Sequence, residues 1–394
     1  MAPRALLIPS FLDDHFPLLR HAFSSDRWQP ILLPPEAGLA DLGLRYIHSE
    51  MCYPAILIAG QILRALGSGR YDPARCGVLV GQVGDECRGS CLIRLLRRAL
   101  DRAGYQATAL VSLNIRGIDR PDRLMLHPAM VGKALAAAVW GDALAIARDQ
   151  TRPLEARPGA ALALWSEWMD ELGAQMAHVP SRREILRRCE EISDSFRRLD
   201  TIDRPVQDVA VVGEIYTKNC RLGNWGLRDY LAQNGCRVYV GGLTWQSLYF
   251  MDTRTLKGPA AHRAAYRAVR CAAAALQQDL VDILRAGGFR TLPPLPRLKA
   301  ESEGLAPLNV TVADGWLIAA EAAGWARQGC RKILCVQPFA CLPGHIFGKG
   351  QYAALQRKLP GVRLVSVDYD ASTGEGTVQS RVRMLLDESM EPSF

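Results

Sequence analysis

Short apolar runs typical of β-strands alternate with helical patterns along most of the chain. The runs before residue 115 are ALLIPS, QPILLP, GVLVGQ and ATALVSLN, and those after residue 207 are DVAVVGEI, CRVYVGG, KILCVQP and VRLVSVDY. Between these runs, apolar residues at helical spacing predict helices over residues 54–66, 92–103, 224–233 and 351–359. This alternation predicts an α/β fold of parallel sheets with helical crossovers, and such folds bind ligands beyond the carboxyl ends of their strands.

The middle of the chain has a different pattern. Residues 125–205 include ALALWSEWMDELGAQM and a charged stretch that ends near Arg198, and they contain no convincing strand. The sequence IDRPVQD then predicts a linker into the second α/β part. We therefore expect a first α/β domain over residues 1–124, a helical segment and linker over 125–205, and a second α/β domain over 206–394.

Composition is that of an ordinary globular protein. Of the 394 residues, 49% are hydrophobic and 22% are charged. The first residues, MAPRALLIPSFLDDHF, lack the long apolar run of a secretory signal. Uninterrupted apolar stretches fall short of the roughly 18 to 20 residues that a membrane span needs. We expect a cytoplasmic protein with no membrane segment.

The formal net charge is +8, but the basic residues are dispersed among acidic ones, as in SRREILRRCEEISDSFRRLD. That pattern is typical of a solvated amphipathic helix rather than a nucleic-acid surface. The basic excess fits an acidic partner or a substrate that carries phosphate.

Three of the eleven cysteines stand just before predicted helix starts. Cys52, Cys87 and Cys341 occur in HSEMCYPAIL, GDECRGSCLI and QPFACLPGHI. Unpaired backbone N–H groups and the positive end of the helix dipole stabilise thiolates at such positions. Iron–sulfur clusters are anionic and take cysteine thiolates as ligands. The three sites together predict a [4Fe–4S] cluster with one iron open to a substrate atom.

Other interpretations of the cysteines remain open. Without a secretory signal a disulfide framework is not expected. Five cysteines have the pattern of small buried core residues, namely Cys76, Cys189, Cys236, Cys271 and Cys330. Structural zinc is an alternative, with Cys341, His345 and two further thiols, although the chain has no CxxC pair. Purely structural roles for Cys52, Cys87 and Cys341 are the other alternative.

Two further residues are candidates for chemistry. His345 lies four residues after Cys341, and neutral imidazole suits proton transfer. Glu214 ends the run VVGE, where it would ligate iron, act as an acid or base, or cap a helix. The sequence GHIFGKGQ fails the spacing of a phosphate-binding loop, so nucleotide hydrolysis by this chain is not expected.

Five stretches match a known superfamily: MCYPAILIAGQIL, ECRGSCLIRLLRRAL, VVGEIYTKN, ILCVQPFACLPGHIFGKG and VSVDYD. On these the chain resembles the 2-hydroxyacyl-CoA dehydratase, benzoyl-CoA reductase and double-cubane cluster proteins. The likeness is greatest to the dehydratase-like carboxyl-terminal region of large activase-related proteins. It runs from residue 50 to 370, and QPFACLPGHI and CYPAILIAGQI are its most specific parts.

The resemblance implies two Rossmann-like domains with the cluster in the cleft between them, bound by Cys52, Cys87 and Cys341. It also implies a dehydratase-like component or low-potential reductase that takes electrons from a separate ATP-hydrolysing activator. An acyl-CoA or another small molecule would be the substrate, and a dimer with itself or a related subunit would be the assembly. A non-catalytic, cluster-carrying subunit for electron transfer is the alternative.

The chain departs from these relatives at two turns. Gly84-Asp85-Glu86 replaces a glycine-rich turn before Cys87, and its carboxylates would disfavour further reduction of an anionic cluster. Ala313-Asp314-Gly315-Trp316 stands where relatives tend to have Gly-Glu-Gly-Trp. Three extra thiols near the same loops are candidates to complete a double-cubane site, namely Cys91, Cys220 and Cys335.

Overall fold

The computed structural model describes residues 3–82, 87–114, 122–123, 127–255 and 260–387. It contains two all-parallel sheets. The first has the order β2-β1-β3-β4-β5, with strands Arg4–Ile8 (β1), Trp28–Leu32 (β2), Cys76–Gln82 (β3), Ala109–Asn114 (β4) and Asp122–Arg123 (β5). The second has the order β7-β6-β8-β9, with strands Gln207–Gly213 (β6), Cys236–Val240 (β7), Lys332–Pro338 (β8) and Arg363–Tyr369 (β9). The α/β class with two Rossmann-like parallel-sheet units is confirmed, and only the two-residue β5 was not predicted.

Helices connect the strands and cover the sheets. The first unit contains Phe16–Leu19 (α1), Leu39–Leu44 (α2), Tyr53–Gly67 (α3) and Leu92–Arg102 (α4). The middle segment contains Pro128–Thr151 (α5), Ala160–Gln175 (α6) and Arg182–Arg197 (α7). The second unit contains Ile215–Asn219 (α8), Arg221–Asn224 (α9), Leu227–Gln233 (α10), Leu243–Thr255 (α11), Ala260–Ala286 (α12), Leu295–Glu301 (α13), Gly315–Arg327 (α14), Tyr352–Lys358 (α15) and Glu375–Leu386 (α16).

One predicted helix begins later than its pattern indicated. The helix expected over residues 224–233 starts at Leu227, because Trp225 adopts a left-handed backbone conformation with φ of 52° and ends α9. A non-glycine residue rarely takes such a φ, so the apolar spacing alone gave no sign of the break. The other three predicted helices begin and end within one residue of α3, α4 and α15.

Alternate side chains of each strand enter different cores. Leu6 and Ile8 of β1 enter a large core that also receives Ala210 and Val212 of β6, whereas Leu7 enters a core on the outer face of the first sheet. This alternation is the period of a strand buried on both faces. The large core is therefore shared by both sheets, and the domain boundaries at residues 124 and 205 stay a prediction.

Helix α5 lies at the centre of the shared core. By length and composition the segment Pro128–Leu154 would be able to cross a membrane. From Ala136 onward, however, nearly all of its residues are buried among other parts of the chain, and Trp140 is fully enclosed. We therefore interpret α5 as a core helix, in agreement with the expected lack of a membrane segment. The cytoplasmic location stays a prediction.

The carboxyl edges of the two sheets face each other. The loop after β1 meets the start of the second unit, where the Asp13 N–H donates to the Asn219 carbonyl at 3.4 Å. The rings of Phe11 and Tyr216 lie 5.8 Å apart across the same boundary. Loops that follow strands of the two sheets thus meet along one boundary, which we call the cleft.

Candidate functional site

The order of the strands in each sheet determines where a ligand site is expected. In each sheet the second strand lies on one side of the first and the third strand on the other. Chain connections from the first and third strands of such a sheet diverge, which opens a crevice at their carboxyl ends. These crevices lie between β1 and β3 and between β6 and β8. Cys87 follows β3, Glu214 follows β6 and Cys341 follows β8, so three predicted site residues border the two crevices.

Each of the three cysteines stands at a helix start, as predicted. Cys52 is the residue before α3, and its carbonyl accepts from the N–H groups of Ala55 and Ile56 at 3.0 and 3.3 Å. Cys87 precedes the short 3₁₀ turn Arg88–Cys91 that leads into α4. Both thiols are half-buried. The Gly84-Asp85-Glu86 turn before Cys87 lies outside the described residues.

Cys341 occupies a strained turn. Its N–H donates to the Pro338 carbonyl at 3.0 Å, and its own carbonyl accepts from the His345 N–H at 2.9 Å. Ala340, immediately before it, has a φ of 55°, which costs an L-residue on the order of 1 kcal/mol. A turn of π-helix, Gly344–Gly348, follows. Backbone strain and π-helical turns both occur preferentially at functional sites.

Arg88 connects the loops of all three cysteines. Its Nη1 donates to the Glu50 carbonyl at 2.7 Å, and its Nη2 donates to the Phe339 carbonyl at 2.5 Å. Glu50 lies two residues before Cys52, Phe339 lies two residues before Cys341, and Arg88 itself follows Cys87. The structure therefore brings the three loops together, although they come from opposite ends of the chain.

The thiols share one electrostatic environment. The pKa of Cys52 is raised to about 11, mainly by burial and also by Glu214 and Cys87, while Arg88 opposes the rise. Burial also raises the pKa of Cys341, and Glu214 and Cys87 are again among the causes. Without a cation the two thiols keep their protons at neutral pH. A metal would displace those protons, since the thiolate is the form that binds metal.

The described residues do not form a preassembled site for a single metal ion. Among the residues that the structure describes, no three His, Cys, Asp or Glu side chains are close enough to hold one metal ion. Structural zinc needs four donors around one point. A cubane spreads its thiolates over roughly 6 to 7 Å, given metal–thiolate bonds of about 2.3 Å. That the sulfurs of Cys52, Cys87 and Cys341 meet this spacing stays a prediction.

Glu214 caps helix α8. Its carboxylate accepts from the N–H groups of Tyr216 and Thr217 at 3.0 and 2.9 Å and from the Thr217 hydroxyl at 3.1 Å. Burial raises its pKa, and the two N–H donors oppose the rise. Of the three roles considered from the sequence, the cap is the one that these contacts display. Its roles as an iron ligand or as an acid or base stay predictions.

A buried group of charges lies close to Glu214. The Lys218 ammonium contacts both oxygens of Glu321 at 3.0 and 2.8 Å, and the two side chains are 2% and 1% exposed. Asp314 accepts from the Gln246 amide at 2.9 Å. Burial raises the pKa of Asp314 to about 8, with the Glu214 carboxylate as the next cause. With Glu214 this cluster has three carboxyls and one ammonium.

Glycine makes room for this acidic cluster. A Cβ atom on Gly241, just after β7, would lie 2.0 Å from the Glu321 Oε1. Any side chain there would displace the Lys218–Glu321 pair. The turn that carries Asp314 is also strained, with a φ of 44° at Ala313, a conformation that favours glycine.

His345 is fixed at the turn of Cys341. Its Nδ1 lies 2.9 Å from the Cys341 carbonyl oxygen, and its Nε2 lies 3.4 Å from the Asp368 Oδ1. The ring stands edge-on to Phe339 with centroids 6.4 Å apart. These contacts orient the turn, and the predicted role in proton transfer stays a prediction.

The three extra thiols that were candidates for a double-cubane site differ in burial. Cys91 is exposed beside the Cys87 loop, whereas Cys220 and Cys335 are buried, and burial raises the pKa of each buried thiol to about 12. Whether these three complete a double-cubane site stays a prediction.

Of the five expected core cysteines, four are buried, namely Cys76, Cys189, Cys236 and Cys330. The expectation for Cys271 was wrong: it lies on the exposed side of α12, because its alanine-rich surroundings are not a core.

Sequence reasoning missed Arg88, Lys218 and Glu321. Glu321 carried a signal, because it is the one acidic residue in the apolar helix GWLIAAEAAGWAR. A charge in such a helix needs a buried partner. Lys218 and Arg88 carried a weaker signal in the sequence, since the residues that they contact are remote along the chain.

The chain was also compared with known proteins. No protein-family model matches it, and no curated protein is significantly similar to it.

Proposed function

We propose that this chain is an iron–sulfur protein whose cluster, of the [4Fe–4S] type, is held by Cys52, Cys87 and Cys341 in the cleft between the sheets. The observation that carries the proposal is the bridge made by Arg88, which ties the loops of the other two cysteines to the loop of Cys87. Two of these loops also border the crevices that the strand order opens. Chance core cysteines would not be expected in all three places.

The residues of the chain have defined tasks in this proposal. The three thiols would bind as thiolates, favoured by the N–H groups at the helix starts. A bound cluster would supply one-electron chemistry and an open iron for a donor atom of the substrate. Asp314 holds a proton at neutral pH, because burial and neighbouring carboxylates raise its pKa to about 8. The cleft thus offers a protonated acid close to the thiols.

The reaction class rests on the resemblance. It favours a reductase or dehydratase-like component that acts on an acyl-CoA or another small molecule. A separate ATP-hydrolysing activator would supply the electrons, and a dimer with itself or a related subunit would be the assembly.

One observation favours the alternative of a non-catalytic electron-transfer subunit. Three large apolar side chains near Cys341 are about half exposed: Phe339 at 58%, Leu342 at 45% and Ile346 at 48%. All three lie within five residues of Cys341 in the sequence. An apolar surface of this kind suits the docking of a protein.

Metal analysis of the anaerobically purified protein tests the proposal. We expect a brown protein with iron and acid-labile sulfide in nearly equal amounts. Stoichiometric zinc without sulfide would refute it. Turnover of an acyl-CoA with activator and reductant would distinguish the enzyme from the electron-transfer subunit, which would be reduced without consuming substrate.

A further inference from the structure

Arg88 joins two carbonyl groups that belong to different halves of the molecule. The Glu50 carbonyl lies in the loop between α2 and α3, and the Phe339 carbonyl lies just after β8. A guanidinium suits this task because its N–H donors form a rigid planar fork, whereas a lysine ammonium is a single point of charge on a flexible stem.

The loop that Arg88 holds on the far side is anchored at its amide but strained beyond it. The Phe339 N–H donates to the Tyr369 carbonyl at 2.8 Å, which fixes the loop to β9. The next residue, Ala340, has the left-handed φ of 55°. A strained conformation persists only where its surroundings determine it. The Phe339 carbonyl, bonded to Arg88, is one of those determinants.

We propose that Arg88 is a positioning residue, a latch across the cleft that sets the place of Cys341 relative to Cys52 and Cys87 before any cluster binds. The importance of the latch for cluster binding rests on the proposed function. The latch itself belongs to the metal-free chain and is testable there.

The test compares Arg88→Ala with Arg98→Ala in metal-free protein. Arg98 is exposed on α4, ten residues after Arg88, so both changes remove one arginine charge from the same part of the chain. The reporters are the hydrogen-bonded amides of Phe339, Cys341 and His345. We expect hydrogen exchange there to rise about tenfold in Arg88→Ala, from the loss of a charge-assisted hydrogen bond, and to stay unchanged in Arg98→Ala.

Two further measurements separate positioning from a general effect on stability. A short bismaleimide should join Cys87 to Cys341 in lower yield in Arg88→Ala, as read by peptide mapping, while the midpoint of thermal unfolding stays near that of the wild type. Arg88→Lys should restore the crosslink in part. If Arg88→Ala does not fold, Arg88→Lys takes its place in the comparison with Arg98→Ala.

The outcomes distinguish the latch from the proposed function. Equal exchange and equal crosslinking in the Arg88 and Arg98 variants would overturn the latch, even if the wild type holds iron and sulfide. Wild-type protein that binds no iron or sulfide, together with faster exchange in Arg88→Ala, would leave the latch standing and refute the proposed function.

Discussion

Two buried groups of charged side chains differ in charge balance, one between the halves of the molecule and one within the second half. In the first, Arg148 and Arg228 each contact both Asp14 and Asp149. Two acids face two guanidinium groups. Burial alone would raise the pKa of Asp14, but the two arginines bring it well below its usual range.

The second group lies close to the cysteines and is not balanced. Glu214, Asp314 and Glu321 share a single cation, Lys218, which pairs with Glu321. Asp314 has an amide as its side-chain partner rather than a cation. Fully ionised, this group would carry two uncompensated negative charges, so at least one carboxyl keeps its proton.

The difference separates a structural feature from a candidate functional one. A balanced, fully bonded ionic group fixes the packing of the halves, and breaking it exposes the full cost of a buried charge. An unbalanced group costs stability, and such groups cluster at functional sites. Its position beside the loops that Arg88 joins is what links it to the proposed function.

The largest effect is expected from breaking the balanced group. Arg228→Ala would leave Asp14 and Asp149 with one guanidinium between them and should cost about 3 to 5 kcal/mol of unfolding free energy, measured by urea denaturation. Arg221→Ala is the matched control, because Arg221 is 72% exposed in its contact with Asp229, and it should cost less than about 1 kcal/mol. Similar losses in the two variants would show that the network is not a major source of stability.

Asp314 should make stability fall as pH rises. The pKa of its carboxyl is 3.8 in the unfolded chain and about 8 in the folded one. The folded state therefore binds one more proton between these values, and stability declines there by at most about 1.4 kcal/mol per pH unit. Asp314→Asn removes this contribution, so its unfolding free energy should fall less steeply from pH 5 to pH 8 than that of the wild type.

Asp14 should change the pH dependence of stability in the direction opposite to Asp314. Its pKa is lowered on folding, so its contribution to stability is present above 3.8 and is lost as the pH falls below that value. Acid should therefore weaken the balanced group first. Identical pH profiles for Asp314→Asn and the wild type would mean that Asp314 does not hold the proton in the folded protein, contrary to this account.

The smallest effect concerns the strained turn before Cys341. In Ala340→Gly, relief of about 1 kcal/mol of left-handed strain is offset by a similar gain of freedom in the unfolded chain, so stability should stay within about 0.5 kcal/mol. Ala353→Gly, at an exposed position in α15, should cost about 1 kcal/mol. Equal losses in thermal or urea denaturation would argue that Ala340 is not strained.

The sequence predicted those parts of the fold that local patterns determine. Eight strands follow from short β-branched runs, and the starts of α3 and α4 follow from the residues around Pro54 and Leu92. The break at Trp225 was missed because no local rule assigns a left-handed φ to tryptophan. Cys271 was misplaced because apolar neighbours in sequence do not ensure burial.

The candidate site was predicted only in part, for a physical reason. Cys52, Cys87, Cys341 and Glu214 were found from their places at helix starts and strand ends. Their convergence depends on contacts such as that of Arg88 with Phe339, which are set by the packing of two sheets and leave no local trace. The Lys218–Glu321 pair likewise arises from tertiary structure.

The most direct measurement compares Cys341→Ala with Cys271→Ala in anaerobically prepared protein. Both changes delete a sulfur atom, but Cys341 lies in the cleft and Cys271 is exposed on α12. We expect iron and sulfide to be lost from Cys341→Ala while its circular dichroism stays native, because a half-buried thiol on a loop leaves little cavity. Cys271→Ala should keep the iron and sulfide of the wild type. Equal iron content in the two variants would contradict the assignment of Cys341 and, with it, the cluster in the cleft.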